Sequence, residues 1–85
     1  MSKYQDELTK RLSATLGKDC AEVVAELFAI GALDETLARR GCAMMEYYAH
    51  IHDTSRSTTA IISEVADMYH MGERTVWDIV YKVRG

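Results

Sequence analysis

The chain has 85 residues, 48% hydrophobic, with no proline, ten Lys/Arg against thirteen Asp/Glu and a net charge of −3. That length supports one small, marginally stable domain, and its apolar fraction excludes disorder. No apolar run approaches the roughly 18 residues of a membrane span and no secretory signal is visible, so the expectation is an intracellular, cytoplasmic protein.

A helical stripe of Tyr4, Leu8, Leu12 and Leu16 recurs every four residues and stops at Gly17. Asp19 then offers an N-cap, and Glu22 three residues later completes a D-x-x-E capping box. The second helix carries Val23, Val24, Leu27, Phe28 and Ile30 on one broad face and ends at Gly31. Asp34 opens a third helix over about 35–52, with Leu37, Gly41, Met44, Tyr48 and Ile51 as its stripe. Gly41 on that stripe reads either as a close helix–helix approach or as a tolerated weak spot.

Residues 53–57 form a polar linker rich in capping side chains. Ser57 or Thr58 starts a fourth helix with Ile61, Ile62, Val65, Ala66 and Tyr69 inward. A fifth begins near Gly72 and runs to about Arg84, with Val76, Ile79, Val80 and Val83 inward. No segment alternates with period two, so the predicted class is all-α, with five helices. The organisation expected is an N-terminal helical pair over 1–31 that dimerises, followed by a three-helix unit over 32–85, both within one domain.

The break at His70-Met71-Gly72 carries the functional information. An apolar helix interrupted there and resumed at once fits two helices joined by a tight turn. Such a crossing needs a small residue where the second helix packs on the first, and Ala66 is small. It needs an apolar plug just before the second helix, which Met71 supplies. Val76 and Ile79 then lock the angle, with Val65 and Tyr69 completing the apolar set.

The stretch IISEVADMYHMGERTVWDIVYK resembles the bacterial and phage helix-turn-helix DNA-binding domains of homeodomain-like type, often written A-x-x-[YF]-x-[VM]-S-x-R-T-V-x-x-I. The resemblance covers residues 58–84 and extends weakly to the third helix. Size and helical N-terminal part are similar to Mor-type transcription regulators. Two positions depart from the pattern: His70 stands where the family has a glycine that adopts left-handed backbone, and Gly72 replaces the N-cap serine. Histidine tolerates the first and glycine is an acceptable cap for the second.

The resemblance implies that the last helix enters the major groove of double-stranded DNA, reading bases through Glu73, Arg74, Trp77, Asp78 and Tyr81. Arg74 would pair with guanine and Glu73 accept from cytosine. Arg56, Thr58, Thr75, Lys82 and Arg84 are the phosphate candidates, Arg56 and Thr58 because helix N-termini bind anions. The reading against this is a solvated helix face over Glu73, Arg74 and Asp78, with Trp77 in a subunit interface. Two acidic residues on a reading helix weaken its attraction to phosphates, so dimerisation is expected to raise the affinity.

Other chemistry is thin. His50 and His52 point different ways on a helix, so with His70 and Cys42 they make no metal site. Cys20 and Cys42 read as plain thiols rather than a disulfide framework. Arg39-Arg40 fits a solvated face or a contact to the DNA backbone, and Met44-Met45 fits gap-filling core. No nucleophile–base pair or phosphate loop is present. The expectation is a non-enzymatic, cofactor-free DNA-binding homodimer, a transcription regulator with no small-molecule substrate. The alternatives are a protein-interaction module on the same fold and a small terminase or recombination accessory subunit.

Overall fold

A computed structural model describes residues 3–53 and 55–82. The order is α1 (Lys3–Leu16), α2 (Ala21–Ala29), α3 (Glu35–His50), α4 (Thr58–Met68) and α5 (Glu73–Lys82), with no strand among the described residues. The fold is all-α, with five helices; α1 packs on α2, and α4 packs on α5 across a tight turn. Two units divide the chain inside α3, at Cys42/Ala43, rather than at the helix break at Gly31.

In the first unit α1 packs on α2. Gly17 ends α1 at φ +71° and Gly31 ends α2 at φ +80°, a backbone region glycine enters without steric cost. The Gly31 N–H donates to the Phe28 carbonyl at 3.2 Å and the Leu33 N–H to Leu27 at 3.0 Å, which closes the open end of α2.

Three expectations for this unit need correction. The α1 stripe is only locally buried: Leu8 is inside, Tyr4 and Leu12 are half-buried, and Leu16 is 57% exposed. The D-x-x-E box does not form. Cys20 takes the N-cap position of α2 without a side-chain bond, and the Asp19 carboxylate accepts from the Ala21 N–H at 2.9 Å. The Cys20 N–H goes to the Ser13 hydroxyl at 3.0 Å, so a side chain from α1 pulls the start of α2 one residue along. On α2, Val24 is fully buried while Val23 and Ile30 are exposed.

Asp34 caps α3 as expected, its carboxylate accepting from the Leu37 N–H at 2.8 Å. The most buried residues of α3 are, however, not those of the expected stripe, of which Gly41, Met44 and Ile51 are only half-buried. Ala38, Cys42, Ala43 and Tyr47 are inside, whereas Leu37 and Tyr48 are exposed. Three of the four buried residues are small, so hydrophobic size alone misplaces the buried line. The helix also stops at His50 instead of continuing to 52. A Cβ added at Gly41 would lie 3.5 Å from Leu8 Cδ1, an ordinary contact, so the glycine is not required for close approach.

The second unit follows the periodicity closely. Ser57 caps α4 by accepting from the Ala60 N–H at 3.1 Å. Ile61, Ile62, Val65, Ala66 and Tyr69 are buried together with Val76, Ile79 and Val80, where α4 packs on α5. Val83 and Arg84 lie outside the described residues.

Gly41→Ala should stabilise the protein by about 0.5–1 kcal/mol in urea unfolding, since the helix loses a flexible residue and nothing is displaced. Burial first, then nearby Glu7, pushes the Cys42 thiol up to about 12. Because the folded value is raised, the native state keeps a proton that the unfolded chain gives up from about pH 9. Stability should therefore fall as pH rises from 9 towards 12, and Cys42→Ala should remove that part of the decline.

Candidate nucleic-acid interface

The site is built on the turn between α4 and α5. Tyr69 is the C-cap of α4, and His70 after it sits at φ +56°. The His70 N–H donates to the Asp67 carbonyl at 3.4 Å and the Met71 N–H to Ala66 at 3.0 Å. These are the two bonds of a Schellman closure, with histidine in the left-handed position that glycine most often fills. Met71, half-buried, follows as the apolar plug. Gly72 then begins α5, its carbonyl accepting from the Val76 N–H at 3.2 Å.

This closure sets which residues of α5 face inward. Val76, Ile79 and Val80 are buried, so the opposite side is presented outward. Glu73, Arg74, Trp77, Asp78 and Tyr81 are all exposed. Arg74, Trp77, Asp78 and Tyr81 stand at i, i+3, i+4 and i+7, one continuous stripe on a helix. Four of the five base-reading candidates thus share one exposed stripe, and Glu73 is exposed at its edge, next to the line of buried Val76 and Val80. Its charge is mixed: Arg74 is basic, and Glu73 and Asp78 are acidic.

The aromatic residues on this face are ordered. The Trp77 and Tyr81 rings stack with centroids 4.8 Å apart and planes 19° from parallel. The Tyr81 hydroxyl lies 3.5 Å from that of Tyr47, which is buried on α3. Tyr47 in turn meets Tyr48 edge-on at 5.2 Å, and the Tyr48 hydroxyl lies 3.4 Å from the Val80 carbonyl. Four aromatic rings therefore run from the end of α3 onto the outer side of α5. Sequence reasoning singled out Trp77 and Tyr81 but missed Tyr47 as their neighbour. The two tyrosines at 47 and 48 were the available signal, obscured by the misplaced α3 stripe.

The phosphate candidates are less uniform. Thr58 begins α4 and Thr75 lies in the first turn of α5, both half-buried. Arg56 is ion-paired with Glu64 of α4, so its charge is already engaged within the unit. Arg84 and the Lys82 side chain lie outside what is described. In the linker, hydrogen bonds from the Ser55 hydroxyl and N–H hold the Asp53 carboxyl below its ordinary range.

Elsewhere, His50 pairs with Glu46 at 2.5 Å on α3. Among the described residues no group of three or more His, Cys, Asp or Glu is placed to hold a metal ion. No helix there is long and apolar enough to cross a membrane.

His70→Gly should raise stability by about 0.5–1 kcal/mol in urea unfolding, because glycine takes the left-handed position without the Cβ penalty. His70→Val should lower it, since a β-branched residue tolerates that backbone worst. Compared with known proteins, the chain matches no family model, no curated protein and no solved structure.

Proposed function

We propose that the chain is a DNA-binding regulator that inserts α5 into the major groove of a duplex. The observation that carries this reading is the uncovered stripe of Arg74, Trp77, Asp78 and Tyr81 on a helix fixed from behind by buried Val76, Ile79 and Val80. A helix about 10–12 Å across fits a groove about 12 Å wide. Arg74 lies in the first turn of α5, the part of a reading helix that approaches base edges. A guanidinium there pairs bidentately with guanine O6 and N7. The likeness of residues 58–84 to bacterial and phage helix-turn-helix domains supports the same role.

Dimerisation belongs to the proposal. Leu16, Val23, Ile30 and Leu37 are large apolar residues left exposed in the first unit, material for a subunit contact. Two copies related by a two-fold axis would read half-sites about one helical turn apart.

One observation favours a second reading, a helix-turn-helix that binds protein. Residues 43–85 hold four Lys/Arg and six Asp/Glu, and the Arg56–Glu64 pair further reduces the free positive charge. Duplex DNA rewards cations, and this unit supplies few.

Arg74→Glu separates the two. Under the DNA reading it should lower affinity for duplex DNA by about five-fold or more in gel retardation at low salt, the loss of a bidentate pair being about 1–3 kcal/mol. Unchanged affinity would remove α5 as the reading element, and no retardation of any duplex by the parent protein would favour the protein-binding module.

A further inference from the structure

Resting on the reading of α5 as a groove-binding helix, we infer that its aromatic stripe selects thymine, so that the site recognised is thymine-bearing duplex beside a guanine read by Arg74. Trp77 and Tyr81 are half or more covered and yet exposed on the same side, 36% and 43%. Stacked at 4.8 Å and nearly parallel, they form one apolar slab rather than two independent side chains. Tyr47 and Tyr48 of α3 stand behind it. The slab is therefore ordered before any ligand arrives, and little rotamer freedom is left to lose on binding.

An apolar slab in the major groove has one apolar complement on base edges, the C5-methyl of thymine. Guanine, cytosine and adenine present mainly polar groups there, with only small C–H edges between them. Placing Trp77 over them would strip hydration from donors and acceptors without replacing it. The charges point the same way. Among the described side chains of α5 Arg74 is the one cation, beside Glu73 and Asp78, so this face by itself attracts the phosphate backbone little. On this face the contacts offered to the groove include one guanidinium and two aromatic rings. Arg74 and Trp77 are one turn apart on the helix, which places the guanine and thymine contacts on neighbouring base pairs.

The test edits the DNA, so it needs no protein variant to fold. A duplex recovered from random-sequence DNA by binding to the intact chain is synthesised twice, with thymidine or with deoxyuridine, which lacks only the methyl. The deoxyuridine duplex should bind about four-fold more weakly for each methyl contacted, the value of burying one such group. Trp77→Ala, with helicity confirmed by circular dichroism, should bring the ratio of the two affinities close to one. Equal affinity of the parent protein for both duplexes overturns thymine selection while leaving DNA binding intact. Tighter binding to the unpaired strand than to the duplex would also overturn it, in favour of base stacking. Failure to recover any duplex overturns the parent reading itself.

Discussion

The second unit depends on how the chain leaves α4. A histidine at φ +56° and two backbone bonds, from His70 to Asp67 and from Met71 to Ala66, end one helix and aim the next. Ala66 does double duty at this point, since its carbonyl accepts one closing bond while its small side chain is buried against the neighbouring helix. Once the exit is fixed, the phase of α5 follows from Val76, Ile79 and Val80, and the outward stripe is what those three leave behind. The exposure of Arg74, Trp77 and Tyr81 is a consequence of where the turn sets the helical phase.

The candidate surface is poor in positive charge and rich in aromatic area. That combination separates two contributions to nucleic-acid binding usually found together. Phosphate attraction gives affinity without sequence, and groove contact gives sequence with modest affinity. With Arg56 engaged by Glu64 and two carboxylates on α5, the balance here tilts towards groove contact. Such a protein would search DNA inefficiently as a single copy and gain from a second, for which the exposed apolar residues of the first unit are suited.

How much of this was legible in the sequence differs between the units. The inward residues of α4 and the described part of α5 follow from periodicity, because large branched side chains mark the buried side. The left-handed turn at His70 was legible through the family resemblance, with histidine's tolerance of that backbone compatible with it but too weak to single the position out. In α3 the buried residues are Ala38, Cys42, Ala43 and Tyr47, and the exposed Leu37 and Tyr48 beside them drew the reading off the buried side. The start of α2 was misplaced for a different reason. Its N-cap residue, Cys20, is held by Ser13 of the preceding helix, and a capping motif read within α2 carries no trace of such a partner. The clustering of Tyr47 with Tyr81 was invisible for the same reason.

The central claim, that the outer face of α5 is where DNA is held, is tested most directly by the fluorescence of Trp77, the single tryptophan of the chain. Its ring is partly exposed and stacked on Tyr81, so a base edge or sugar settling on it changes its surroundings. Titration with a short duplex should give a saturable change in emission that tracks the bound fraction measured by anisotropy of labelled DNA. Binding seen by anisotropy with the Trp77 emission unaltered would contradict the account, because the DNA would then be held elsewhere on the molecule.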